Sequence, residues 1–377
     1  MIVICRYLYG YSNIIYLPGS NFVIQSLSPS DDPNNWMQTR AKIYLERNER
    51  ISKVCQRYRN EYNMGKNFEI LNLHTLYHGN GFLLDLKNNI GFCMNGKVGS
   101  TTWTNYFYWL LPAKKREMVD DGNDVNMKMR YDVWRHFMVE QSFESFHDAN
   151  DYLAKCFFEM FQNTKSFNKC SLPDVEEIFN RLVKVLNARI FTFTFVRHPF
   201  ERLVSDYKNI VLQRTGLIEI GPSRDDNMKF TNQWCSRNHT FPAFVDLVLS
   251  KYRQSSCYRS YYRSCNKEKY SFSYHWSPLT SRCSYCEFPY NVIGHMETFD
   301  EDIQYIFSKT EINTFFPVKN YTKHLNSSKK KNVVNDNEKE TLFYFRQLSQ
   351  KQFDDLFEMY QMDFDAFGYD AKLYFPP

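Results

Sequence analysis

The stretch Gly91–Leu111, GFCMNGKVGSTTWTNYFYWLL, decides how this chain is read. It carries Gly96, Lys97, Val98 and Gly99, then three hydroxyl residues in a row, Ser100, Thr101 and Thr102. The run leading into it, FLLDLKNNIGFCM (82–94), reads as strand, turn, strand. After it, Trp103, Phe107, Leu110 and Leu111 recur at i, i+4, i+7 and i+8, the spacing of a helix. The order is strand, glycine-containing loop, helix. A loop so placed turns backbone N–H groups toward the positive end of a helix dipole, which makes it an anion site. Gly96 and Gly99 admit an oxygen close to the backbone. The three hydroxyls add donors, and Lys97 adds a mobile full charge. In the nucleoside-triphosphatase loop a Ser or Thr directly follows the lysine and holds magnesium. Here Val98 follows Lys97 and the first hydroxyl comes three residues on. The expectation is an anion cradle without a metal partner.

Two more strand–turn–helix units lie further along. In ARIFTFTFVRHPFERLVSDYKNIVLQR (188–214), Ile190–Val196 is β-branched and aromatic, the composition of a buried strand. Pro199 suits the first turn of a helix. On that helix Phe200, Leu203, Val204, Tyr207 and Val211 form an apolar stripe, with Glu201, Arg202, Ser205 and Lys208 on the other face. YNVIGHMETFDEDIQYIFSKT (290–310) is the third unit, with Thr298 capping an acidic first turn. AKIYLERNERISKVCQRY (41–58) reads as an amphipathic helix with Ile43, Ile51 and Val54 on one side. Helices are also expected within 133–187 and over QLSQKQFDDLFEMYQMDFDAFGY (347–369). Residues 28–40 are turn-rich and read as a linker. Three strand–helix units predict an α/β fold with a central, mainly parallel sheet. Residues 1–40 are expected as an N-terminal segment and 41–377 as one domain.

Bulk properties narrow the function. The chain has 377 residues, enough for a sizeable core, and 43% are apolar. A net charge of +5 is too mild for a general nucleic-acid binder and fits a local basic patch. There are ten cysteines, and three glycosylation sequons begin at Asn238, Asn320 and Asn326. The segment 1–27 is apolar but broken by Arg6, Gly10 and Pro18, so it is a weak membrane anchor and a weak signal peptide.

In an open parallel sheet the carboxyl ends of the strands gather on one rim. The Lys97 cradle and Arg197 both follow such ends. Two basic pockets there suit one ligand with two separated anionic groups. At this point the chain resembles the Golgi carbohydrate sulfotransferases of chondroitin, dermatan and HNK-1 type. The resemblance rests on NGKVGSTTW (95–103) as the 5′-phosphosulfate loop and VRHPFERLVSDYKN (196–209) as the 3′-phosphate motif. HWSPLTSRCSYCEFPYNVIGHMETFDEDIQYI, LFEMYQMDFDAFGY and RNERISKVCQRY support it, so it runs from about Arg47 to Tyr369. This chain departs from the family in having His198 where Asp is common and Gly96 where Pro is common. Gly99-Ser100 stands where the family often has Cys or Ala-Cys, and Thr104-Asn105 where it has basic residues.

The resemblance implies a P-loop-like three-layer fold and a Golgi luminal enzyme, type II in topology. The implied donor is 3′-phosphoadenosine 5′-phosphosulfate and the acceptor a glycan hydroxyl, of chondroitin or dermatan type. No metal is implied. Gly96–Thr102 would hold the phosphosulfate, with Lys97 stabilising the leaving oxygen; Arg197 and Ser205 would hold the 3′-phosphate. His275 is the first candidate for the base that takes the acceptor proton, or else a histidine packed beside Trp276. Glu297 is the second, or a capping acid. His198 is a third, or a cap for the helix from Pro199. Cys283 and Cys286 suggest zinc, but a second ligand pair of standard spacing is missing. Disulfides are the expectation for a luminal protein, with pairing open. Arg253, Arg259, Arg263, Lys267 and Lys269 form a basic cluster, either a glycan surface or an ordinary solvated face. The rival functions are a P-loop nucleotide kinase or GTPase, and an inactive glycan-binding module on the same fold.

Overall fold

The computed structural model describes residues 33–61, 82–85, 87–111, 190–208, 240–254, 276–286, 288, 290–310 and 333–375. The chain divides between Thr39 and Arg40 into two units, and the sheet lies within the second. The segment 1–27, the helices expected within 133–187, the asparagines of the three sequons and His275 lie outside the described residues.

Four strands form one sheet in the order β1 (Phe82–Asp85), β2 (Ile90–Cys93), β3 (Phe191–Val196), β4 (Val292–His295). β1 and β2 make the expected hairpin, antiparallel, with Leu83 opposite Phe92. The Asp85 carboxylate closes the turn by accepting the N–H groups of Lys87 and Asn88 at 3.0 and 3.2 Å. The other pairings are parallel, with Phe92 opposite Phe193 and Val196 opposite His295. Each of β2, β3 and β4 runs into a helix: α2 (Ser100–Leu110), α3 (Pro199–Asp206) and α5 (Phe299–Thr310). The mixed α/β reading therefore holds. The other helices are α1 (Pro33–Glu61), α4 (Phe241–Gln254), α6 (Val333–Phe345) and α7 (Gln350–Phe367).

Strand alternation sorts the core onto two faces. On one, Trp103 of α2 meets Phe92, Phe193 and Phe195 at ring distances of 5.3, 4.5 and 5.5 Å, and Phe299 of α5 meets Phe195 at 5.0 Å. All but Phe299 are fully buried, and removing one such ring from water is worth about 2–3 kcal/mol. On the other face Cys93, Val196 and Ile293 pack with Ile51 and Val54 of α1 and Phe367 of α7. A further cluster joins α3, α4, α6 and the rest of α7 through Phe200, Leu203, Phe244, Phe345, Phe353 and Tyr360.

One expectation is corrected. Residues 33–40 are helical, not linker; Pro33 occupies the first helical position, where its missing N–H costs nothing. On the polar side of α3, Glu201, Arg202 and Asp206 are all buried. Arg202 donates to the Ser277 carbonyl oxygen, and Glu201 accepts from the Tyr374 hydroxyl at 3.5 Å. Their partners come from distant parts of the chain, so helical spacing alone could not reveal them.

Among the described residues the cysteines form two disulfides, Cys55–Cys286 and Cys93–Cys283. The neighbouring cysteines 283 and 286 thus part company, one to the end of β2 and one to α1, and neither is a thiolate for zinc. Among the described residues no group of three or more His, Cys, Asp or Glu is placed to hold a metal. Among them, too, no helix is long and apolar enough to cross a membrane.

Candidate active site

The cradle begins where β2 ends. Asn95 is fully buried, and its amide donates to the Tyr285 hydroxyl at 2.9 Å, to Thr194 Oγ1 at 3.2 Å and to the Phe195 carbonyl at 3.3 Å. These bonds pin the loop to β3. Lys97 (φ 65°) and Gly99 (φ 78°) both lie in the left-handed region, with Val98 between them. Such alternation turns successive N–H groups to one side, the geometry of an anion nest. Glycine is needed at 99 for a second reason: a Cβ there would stand 3.0 Å from the Phe299 ring. Gly91 stands five residues before Gly96, the phosphate-loop distance, but it lies inside β2 with Phe92 and Cys93, so it belongs to the strand.

Gly99 is also the N-cap of α2 and, having no side chain, supplies no cap of its own. The first helical bond runs from Trp103 N–H to the Gly99 carbonyl at 3.1 Å. The N–H groups of Gly99–Thr102 precede that bond and are the donors a helix start offers to an anion. Ser100 and Thr102 are part-exposed. The expected cradle residues, Gly96 to Thr102, are therefore contiguous at one helix start.

Arg197 follows β3, the strand paired in parallel with β2. The cradle and Arg197 consequently share one rim of the sheet. Glu201 Oε2 accepts from Arg197 Nε and Nη2, each at 3.3 Å. Burial pushes the Glu201 carboxyl up, and the Arg197 charge offsets that. Ser205 is part-exposed, one residue before the end of α3. Its neighbour Asp206 links the two halves: Lys97 Nζ lies 3.9 Å from Asp206 Oδ1, which is fully buried. Burial raises the Asp206 carboxyl, while Lys97 and Arg202 pull it back down.

His198 turns out to be a cap. Its Nδ1 accepts from Phe200 N–H at 3.3 Å, and Nε2 meets the Asp370 carbonyl at 3.1 Å. The proton therefore sits on Nε2. Burial holds the imidazole down at about 4, so it stays neutral near pH 7. Glu297 lies just past β4, its Oε1 accepting from His198 N–H at 3.2 Å and its Oε2 from the Tyr369 hydroxyl at 2.9 Å. Of the basic cluster, Arg253 pairs with Asp355 of α7, and the other members lie outside the described residues. Sequence reasoning missed Asn95, Asp206 and the engagement of Glu297. Asn95 and Asp206 sit inside the motifs already quoted, but nothing in the pattern marks a polar residue as buried.

Fold and site together define an α/β protein that presents two anion-competent loops on neighbouring parallel strands. The model of the sulfotransferase family matches residues 80–370, well over half the chain, and the chain belongs to that family. Among curated proteins it is similar to carbohydrate sulfotransferase 11 of Mus musculus, 24% identical over 230 residues, covering 56% of this chain and 54% of the relative. It is similar to carbohydrate sulfotransferase 10 of Xenopus laevis, 24% identical over 344 residues, covering 87% and 76%. It is also similar to carbohydrate sulfotransferase 10 of Homo sapiens, 23% identical over 362 residues, covering 94% and 83%. The match thus spans about half the length of the first of these relatives. No solved structure matches.

Proposed function

We propose that the chain is a carbohydrate sulfotransferase that uses 3′-phosphoadenosine 5′-phosphosulfate and acts on a glycan hydroxyl of chondroitin or dermatan type. The observation that carries this reading is the shared rim. A helix start with Lys97 and a turn with Arg197 follow adjacent parallel strands, and Asp206 ties Lys97 to the helix that holds Ser205. Family membership favours a sulfuryl donor over a nucleoside triphosphate.

When bound, the donor supplies a sulfuryl group: the acceptor oxygen bonds to sulfur as the bridging S–O bond breaks, and adenosine 3′,5′-bisphosphate leaves with the electron pair. Lys97 and the N–H groups of Gly99–Thr102 face the charge that grows on the bridging oxygen. Donors placed in advance stabilise that charge more than the ground state. Arg197 and Ser205 hold the 3′-phosphate, with arginine suited to a forked contact. His198 is occupied at both ring nitrogens and Glu297 at both oxygens. His275, directly before Trp276, is the remaining base candidate and takes the acceptor proton in this reading. The two disulfides suit an oxidising lumen such as the Golgi, with residues 1–27 as a type II membrane anchor.

Sulfate transfer from labelled donor to desulfated chondroitin, dermatan and heparan tests the proposal. Transfer to one of them, reduced at least 100-fold in Lys97→Ala, is expected. Glycan binding without transfer to any acceptor would leave the inactive binding module as the answer.

A further inference from the structure

We propose that the segment Tyr369–Tyr374, which follows α7, is a working part of the donor site because it positions Arg197. This rests on the donor reading above and extends it to residues far along the chain.

Three ties from this segment converge on the dipeptide Arg197–His198. The Tyr369 hydroxyl donates to Glu297 Oε2 at 2.9 Å, while Glu297 Oε1 accepts the backbone N–H of His198 at 3.2 Å. One carboxylate thus bridges the segment to the turn itself. The His198 ring donates from Nε2 to the Asp370 carbonyl at 3.1 Å. Tyr369 and Tyr374 also flank that ring, at 5.3 and 4.9 Å between centroids. The third tie runs through Glu201. Its Oε1 accepts from the Tyr374 hydroxyl at 3.5 Å, and its Oε2 accepts Nε and Nη2 of Arg197.

The consequence is geometric. A guanidinium holds its five N–H donors in one rigid plane. Fixing the Nε–Nη2 edge against Glu201 fixes where the other donors point. Glu201 is itself held from behind by Tyr374, and the backbone at His198 is held by Glu297. The segment can reach the turn because Gly368, in the left-handed region (φ 71°), ends α7 and reverses the chain. Lys372 N–H then bonds the Asp370 carboxylate at 2.9 Å, and a 3₁₀ turn over Lys372–Tyr374 brings Tyr374 round. An arginine oriented before the ligand arrives loses less side-chain freedom on binding.

The test uses the full chain with Tyr369→Phe and Tyr374→Phe combined. Both changes keep the rings against His198 and remove only the two hydroxyls. Titration calorimetry measures adenosine 3′,5′-bisphosphate and adenosine 5′-phosphate, alongside melting temperature and steady-state kinetics. Two lost hydrogen bonds to carboxylates should weaken the bisphosphate about tenfold. Binding of the 5′-phosphate, and kcat at saturating donor, should stay at the wild-type value. Unchanged bisphosphate affinity overturns the proposal, and so does equal weakening of both ligands, which marks general loss of structure. Should the double variant fail to fold, Tyr374→Phe alone is read by the same ratio of affinities. A wild-type protein that does not prefer the bisphosphate over the 5′-phosphate removes the donor reading, and this inference with it.

Discussion

Lys97 shows how much a single residue can be asked to do. Its backbone is left-handed (φ 65°), a conformation that costs a non-glycine residue about 1 kcal/mol or more. Its ammonium sits 3.9 Å from the buried Asp206. Such a lysine is held rather than free to sweep the surface, which suits the role proposed for it. His198 caps the start of α3. The family commonly carries Asp here, and either residue can cap a helix start. The histidine brings a pH dependence that an asparagine would not. Its folded value of about 4 lies below the unfolded value of about 6.5. Between these, the unfolded chain binds more protons, so stability rises with pH and is lost as pH falls from 6.5 toward 4. The full effect is about 3 kcal/mol. Burial lowers His295 as well, in the same direction. Urea unfolding at pH 7 and pH 4.5 should show a smaller loss in His198→Asn than in the wild type. An identical loss would mean that His198 is not buried in the neutral form.

Among the elements, the strand–loop–helix units were legible because their signals are local and periodic. Buried β2, the β-branched and aromatic β3, Pro199 at the first turn of α3 and the Trp103–Phe107 spacing of α2 each read correctly from a few neighbouring residues. What escaped is whatever depends on partners distant in sequence. The buried polar side of α3 needs Ser277 and Tyr374, and the split of Cys283 from Cys286 needs α1 and β2. The start of α1 escaped for another reason: Asp, Pro and Asn mark turns and helix starts alike. Register within the sheet exposes one tight point that can be tested. A Cβ on Gly294 of β4 would lie 2.4 Å from the Phe195 ring of β3. Gly294→Ala should therefore cost about 1–3 kcal/mol through forced repacking, visible as a lower urea midpoint with unchanged slope. A neutral substitution would contradict the closeness of β3 and β4 at this register.

At the scale of the molecule, long-range ties hold the rim in place. Asp302 at the start of α5 accepts from the Tyr44 hydroxyl at 2.7 Å, from His295 N–H at 2.8 Å and from Thr298 Oγ1 at 2.8 Å, and it pairs with Arg40. Cys93–Cys283 closes a separation of 190 residues just before the cradle. Replacing both cysteines by serine should cost about 2–5 kcal/mol, read by denaturant unfolding; no change in stability would show that the bond contributes nothing to the fold in solution. In the proposed donor site one ligand spans both pockets, with its 5′ end in the Lys97 cradle and its 3′-phosphate on Arg197. Calorimetric affinities of wild type, Lys97→Ala and Arg197→Ala for adenosine 3′,5′-bisphosphate, the 5′-phosphate and the 3′-phosphate test it directly. Lys97→Ala should weaken the 5′-phosphate and spare the 3′-phosphate, Arg197→Ala should do the reverse, and the bisphosphate should feel both. If the two substitutions weaken the same monophosphate, or neither affects the bisphosphate, one ligand does not span the two pockets.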